Sequence, residues 1–386
     1  MTKAAAVSET PRPEAKATDA GRDVWSVFGM PVDCVTLDQA AARVEAAVAA
    51  RTRLSVVTPN VNWLVRALRD DAAMRQIRDA DLSVADGAPV VVLARKLGAP
   101  LRERVAGSDL FDRLRRPIKA RPPIRVFFFG GREGAAEKAH AALMAGGDGL
   151  TSCGWINPGF GDVDSMSDDE TICRINDAAP DFVVVSLGAG KGQAWIEANQ
   201  LRLEAPVIAH LGAVVDFVAG TVSRAPGWVS RAGLEWLWRI FAEPSLATRY
   251  MSDGAALLGA VSARLGPLSR AYAGRPPSPL RIEVSDQAGR RVIRIGGTAC
   301  ASGLDPVRAA FLDAASGAWE IELDFSALEG MDAAFLGELL LLESRLRKSQ
   351  RTLKLTGLTA SHETILRLNA MDHLADGGGR RAAGPG

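Results

Sequence analysis

Between about residue 25 and residue 262 the sequence keeps one rhythm. Short runs of aliphatic and aromatic residues, LSVVT (54–58), DLSVA (81–85), IRVFFFG (124–130), DFVVVSLG (181–188) and APVIAHLG (205–212), alternate with helix-like stretches. Those stretches fall at 38–51, 60–80, 88–97, 107–116, 133–145, 167–178 and 192–203. Runs that are apolar throughout read as strands covered on both faces, and strands separated by helices read as a parallel sheet. The expected fold class is α/β. Ligands of such sheets sit beyond the carboxyl ends of the strands. The residues just after each run are therefore where chemistry is to be sought.

A chain of 386 residues exceeds one ordinary domain. The segment GRPPSPL (274–280) carries three prolines and a glycine and reads as a linker. The division expected is a disordered tail over 1–24, a first domain over 25–262, a linker over 263–280, a second domain over 281–376 and a disordered tail over 377–386. The first tail has no apolar h-region and does not read as a signal peptide. The most apolar stretch, Val207 to Val222, contains His210 and Asp216 and is too short and polar to span a bilayer. Lys and Arg total 46 against 45 Asp and Glu, so no global field favours nucleic acid. Cys34, Cys153, Cys173 and Cys300 lack metal-ligand spacing and are expected as reduced thiols in a cytoplasmic protein.

Six segments carry candidate chemistry. In TPNVNWLV (58–65), Thr58, Asn60 and Asn62 follow a strand and offer neutral donors and acceptors suited to sugar hydroxyls; the plainer reading is that Thr58 or Asn60 caps the next helix. In ADLSVADGAPVV (80–91), Asp86 ends an apolar strand, either as a general base or ribose ligand, or as a cap. In RVAGSDL (104–110), Arg104 precedes a capping sequence, placed to clamp a diphosphate or to make a surface ion pair. VFFFGGREG (126–134) and SLGAGKGQAW (186–195) are each strand, glycine turn and helix, the second with Lys191 and Gln193 placed for a diphosphate or a base. Residues 210–250 mix Trp228, Trp236, Trp238, Phe241 and Tyr250 with Arg224, Arg231, Arg239 and Arg249. That mixture suits a membrane interface with phosphate headgroups, or a helix packed on the core. It would serve equally against a second copy of the chain. HExxH, CxxC, GxSxG and the kinase set are absent, so neither a metal nor a cofactor is expected.

The segments TPNVNWLV, ADLSVADGAPVV, RVAGSDL, PDFVVVSLGAGKGQAW, HLGAVVDFVAGTVSRAPGW and LEWLWRIFAEPSLATRY occur in one order over about 230 residues. This ordered set resembles the WecG/TagA/CpsF glycosyltransferases (glycosyltransferase family 26). The resemblance implies a Rossmann-like domain with a helical C-terminal appendage, here 223–262, that associates with membrane. It implies an inverting enzyme that moves a sugar from a UDP-sugar to a polyprenyl-diphosphate-linked saccharide at the cytoplasmic face of the membrane. Exopolysaccharide or another cell-envelope glycan would be the product. The family's catalytic carboxylate falls on Asp86, its active-site threonine on Thr58 and its R-x-x-G-x-D arginine on Arg104. Its diphosphate-binding appendage arginines have Arg224, Arg231, Arg239 and Arg249 as candidates. One segment departs: where the family shows G-x-P-x-Q-E-x-W, this chain has Gly190, Gly192 and Gln193 in place of the Pro, Gln and Glu. A changed donor pocket follows from that, or a scaffold that binds a sugar nucleotide without transferring it.

The C-terminal unit, with IELDFSAL, Met331-Asp332-Ala333-Ala334-Phe335-Leu336-Gly337 and TLKLTGLTASHETILRLNAMDHL, resembles a STAS domain. Switchable STAS domains carry a Ser or Thr after that Asp. Ala333 has no hydroxyl to phosphorylate. The resemblance therefore implies a small α/β module that binds a protein partner constitutively.

Overall fold

A computed structural model of the chain describes residues 21–117, 122–146, 149–222, 225–226, 229, 235–273, 278–287 and 289–375. It opens with an antiparallel hairpin, β1 (Val24–Val27) and β2 (Met30–Asp33), closed by Phe28 and Gly29 with φ of 53° and 85°. A two-residue turn with both φ positive matches the right-handed twist of its strands. All eight strand residues are buried, so both faces of the hairpin are covered.

The helices α1 (Leu37–Ala50), α2 (Val61–Ala67), α3 (Asp71–Arg78), α4 (Ala88–Lys96), α5 (Gly107–Arg115), α6 (Ala135–Gly146), α7 (Asp169–Asp177), α8 (Ala189–Asn199) and α9 (Val214–Val218) alternate with six strands. These are β3 (Leu54–Val57), β4 (Leu82–Ser83), β5 (Ile124–Gly130), β6 (Leu150–Ile156), β7 (Phe182–Ser186) and β8 (Val207–His210). They form one parallel sheet in the order β4-β3-β8-β7-β5-β6. Side-chain alternation sorts each strand between two apolar layers. Phe182 and Val184 of β7 join Phe111, Ala139 and Leu143 on one side; Val183 and Val185 join Ile172, Ile175 and Trp195 on the other. The parallel α/β architecture read from the sequence is thus the one observed. Two details differ. The stretch 60–80 is two helices, because the Asp70 carboxylate accepts from Ala72 N at 2.9 Å and starts α3 afresh. The edge strand β6 is too rich in Thr, Ser, Cys and Gly to show as an apolar run.

Past the sheet lie α10 (Glu235–Ala242) and α11 (Ala247–Ala273). α11 continues through Pro267, so residues 263–273, expected as linker, are helical. The C-terminal unit holds β9 (Arg281–Gln287), β10 (Arg290–Ala299), α12 (Asp305–Ser316), β11 (Glu320–Asp324), β12 (Leu328–Met331), α13 (Ala333–Lys348), β13 (Leu353–Thr356) and α14 (Ala360–Leu368). Its parallel strands run β12-β10-β11-β13, with β9 antiparallel beside β10.

The two units share one core. Trp25, Val27, Phe28 and Met30 of the hairpin pack in the same apolar cluster as Leu336, Leu339, Leu340 and Leu366. Burying each such side chain stabilises by roughly 2 kcal/mol. The backbones touch at two glycines. A Cβ on Gly337 of α13 would stand 1.8 Å from the Val24 carbonyl oxygen, and one on Gly29 would stand 2.0 Å from that of Asn369. Around this seam Ser26 donates to Asn369 Oδ1 at 3.1 Å, and buried Arg78 donates to the carbonyls of Gly29 and Ala370, both at 2.9 Å. Arg347 pairs with Asp79, Ser344 donates to Asp79 at 3.0 Å, and Lys348 pairs with Asp81 at 2.7 Å. Ala333, the position of the missing phosphoacceptor, is fully buried.

Candidate active site

Thr58 directly follows β3, and Asp86 lies three residues past the neighbouring strand β4. The ladder runs on past them: Val84 N donates to the Val57 carbonyl and Asp86 N to the Pro59 carbonyl, both at 3.0 Å. Val105 N donates to the Ala85 carbonyl at 3.0 Å, which holds the Arg104 loop beside Asp86. Gly87, at φ 99°, turns the chain away into α4. A Cβ on Gly107 would meet Thr58 at 3.3 Å and Leu211 at 2.7 Å, so only glycine brings the start of α5 this close to Thr58. Thr58, Asp86 and Arg104, far apart in sequence, are thereby gathered at one end of the sheet.

Arg104 is the hub. Its Nη2 donates to Asp109 at 2.8 Å, and its Nη1 donates to Glu235 of α10 at 2.6 Å. The same Nη1 lies 3.8 Å from Asp86 Oδ1. The Asp86 side chain keeps 27% of its surface exposed, but dense surroundings dominate its proton affinity. Burial raises it most, the Arg104 charge lowers it, Glu235 and Asp109 raise it again, and Arg239 lowers it; the balance is a carboxyl pushed up to about 7. Such a group accepts a proton readily at neutral pH.

The appendage helix lays a charged row over the site. Glu235 and Arg239 lie four residues apart on one face of the helix, and Glu243 follows just past its end. Glu235 meets Arg104, and the Arg239 charge acts on both Asp86 and Asp216. Glu243 takes Arg132 at 2.9 Å, while Arg132 approaches Asp216 at 3.8 Å. Trp236 and Phe241 stand out to solvent, 42% and 76% exposed. Glu235 and Glu243 were not expected at the site; the aromatic residues around them masked a four-residue charge spacing that the sequence did contain.

Most of the other expected binding residues have partners of their own. Asn60 caps α2, its side chain accepting from Trp63 N at 3.3 Å, which is the plainer of its two readings. Asn62 donates to Asp253 of α11 at 2.9 Å. Lys191 donates to the Gly161 carbonyl at 2.5 Å. Gln193 is buried, its Oε1 without a hydrogen-bond partner among the described residues, in a small cavity with Asn62, Trp63 and Arg66. Arg249 is exposed and lies over Tyr250 at 5.7 Å. Arg224, Trp228 and Arg231 lie outside the described residues. The departing glycines also have a physical context: a Cβ on Gly190 would meet the Arg66 guanidinium at 2.5 Å, and one on Gly192 the His210 ring at 2.1 Å. The room of larger residues at 190 and 192 is filled by Arg66 and His210. The His210 ring donates to the Leu187 carbonyl at 2.8 Å, and burial holds it below the usual histidine range. A cavity of about 550 Å³, lined by His140, Cys153, Trp155, Asn157 and Arg174, lies along the far edge strand and contains none of the Asp86 cluster.

Comparison with known proteins gives the chain its family. A family model described as glycosyl transferase, WecG/TagA/CpsF family, matches residues 25–270, and a second, described as Mlab, STAS domain, matches residues 282–376. A relative from Bacillus spizizenii is 27% identical over 197 residues, 51% of this chain and 74% of its own length. Another, from Staphylococcus aureus, is 26% identical over 218 residues, 55% of this chain and 82% of its own. Both are N-acetylglucosaminyldiphosphoundecaprenol N-acetyl-beta-D-mannosaminyltransferases. The chain, an α/β sheet domain joined to a STAS domain, belongs to the WecG/TagA/CpsF glycosyltransferase family.

Proposed function

We propose that the protein is an inverting transferase of cell-envelope glycan assembly, moving a sugar of the N-acetylhexosamine class from a UDP-sugar to a polyprenyl-diphosphate-linked saccharide. What carries this is the place of Asp86: a carboxyl at the sheet's carboxyl end, 3.8 Å from Arg104 and pushed up to about 7 mainly by burial, within a chain of this family. The acceptor hydroxyl attacks the anomeric carbon, the bond to UDP breaks with its electrons on the leaving diphosphate, and Asp86 takes the hydroxyl proton. Arg104, and Arg239 from the appendage, supply positive charge for the diphosphates. The two acetamido sugars named for the relatives suggest the donor and acceptor to try first.

Contact with the membrane surface fits the same reading. No helix among the described residues is long and apolar enough to cross a membrane. Trp236, Phe241, Met251 and Leu258 are all exposed on α10 and α11, which suits shallow insertion of aromatic and aliphatic side chains beside lipid headgroups on the cytoplasmic face. The STAS unit spends its α13 face on the hairpin of its own chain, so a protein partner would take another face of it.

The test is UDP release from UDP-N-acetylmannosamine, UDP-N-acetylglucosamine, UDP-glucose and UDP-glucuronate, each with a short-chain polyprenyl-diphosphate N-acetylglucosamine acceptor. Release with one donor, cut about 10³-fold in Asp86→Asn, is the expected result. A second reading, a scaffold that binds a sugar nucleotide without transfer, is favoured by the engaged Lys191 and the buried Gln193. UDP binding with no release from any donor would replace the first reading by that one.

A further inference from the structure

One nitrogen of Arg104 has two carboxylates within reach. Glu235 holds Nη1 at 2.6 Å, and Asp86 stands at 3.8 Å from it. The two belong to different parts of the chain, one to the appendage helix and one to the loop after β4. The other end of the guanidinium is fixed by Asp109 at 2.8 Å, so Nη1 has a limited arc to move through.

We propose, building on the transferase reading, that Glu235 is a positioning residue of the reaction: by engaging Nη1 of Arg104 it keeps the arginine from closing on Asp86, and so leaves the Asp86 carboxylate available to the acceptor hydroxyl. Without Glu235 the next carboxylate for Nη1 among the described residues is Asp86, about 0.9 Å beyond a good hydrogen bond. A carboxylate closed into that pair is a poorer base, because its lone pairs are occupied and its proton affinity falls. The charged groups that face Asp86 are Arg104 from the loop before α5, Asp109 from α5, and Glu235 and Arg239 from α10. Removing Glu235 takes away a negative neighbour and brings a positive one closer, and both changes act in one direction.

The experiment is the pH profile of kcat for the full chain, with saturating UDP-sugar and acceptor, in wild type, Glu235→Gln and Glu235→Asp. The wild-type rate is expected to fall below an acid limb near pH 7, the value to which Asp86 is pushed. In Glu235→Gln the limb is expected to move down by about one pH unit and the plateau rate to drop about 10-fold. Glu235→Asp, which keeps the charge, should bring the limb most of the way back. A helix merely held in place by Glu235 would lower the rate at every pH and leave the limb where it was, and that result overturns the proposal. Glutamine is isosteric and the position is part-exposed, so the fold should survive; Glu235→Ala gives an independent reading of the same limb. Asp86→Asn separates the failures. If it retains transfer, the transferase mechanism falls and this proposal with it; if it is inactive while Glu235→Gln shows an unshifted limb, only the role of Glu235 falls.

Discussion

Two additions border the transferase sheet, and they are attached by opposite physics. The STAS unit meets the first domain through an apolar core around the β1–β2 hairpin, with backbones in contact at Gly29 and Gly337 and the ion pairs of Arg347 and Lys348 at its rim. The appendage helix meets the sheet through a row of charges, Glu235, Arg239 and Glu243, against Arg104, Asp86, Asp216 and Arg132, most of them partly exposed. Apolar burial has no alternative partner to exchange with, so the first seam is built to stay shut. Ion pairs in partly solvated surroundings contribute about 0–1 kcal/mol each and exchange readily for another anion, including a diphosphate. The difference assigns permanence to one side and turnover to the other.

The comparison breaks most visibly at Gly337. Replacing it by Val forces side-chain atoms onto the Val24 carbonyl, and the seam should lose about 3 kcal/mol. Calorimetry should then resolve two unfolding transitions where wild type is expected to show one; a single unshifted transition would mean that the Gly337 contact does not hold the two units together. At the charged seam the sign is reversed for Asp86. Its carboxyl is raised by burial, so the folded state holds that proton more tightly than the unfolded chain does, and folding is penalised as pH rises from about 4 towards 7. Asp86→Asn should therefore be more stable than wild type by about 2 kcal/mol at pH 8, allowing for partial solvent exposure, and equal to it near pH 4. Urea unfolding at the two pH values checks this. Smallest is Glu243→Gln, which removes the pair with the 57% exposed Arg132 and should change stability by about 0.5 kcal/mol, within 1–2 °C of melting temperature.

The same contrast explains what could be read from sequence. β5, β7 and β8 are covered on both faces by the sheet's own helices, so their apolar runs announce them. Thr58, Asp86 and Arg104 were legible together because each follows a strand or its return loop. The hairpin was not, since Val24 to Asp33 is covered on one side by α3, α4 and β4 and on the other by residues some 300 positions later. Glu235 was missed for a related reason: its role is set by an arginine 131 residues away. Lys191 and Gln193 follow a strand as Asp86 does, yet β7 ends two places along from β3, and their side chains turn to a neighbouring loop and an internal cavity.

The hairpin also sets a timetable. Leu339, Leu366 and Asn369, which close over one side of it, are made roughly 300 residues later. At about 5–20 residues per second, Trp25, Phe28 and Met30 wait roughly 15–60 s for their cover. During that interval α3, α4 and β4 can cover one side of the hairpin, and the side that faces α13 stays open. The protein's yield in a cell should therefore depend on elongation speed and on holding chaperones more than its finished stability suggests.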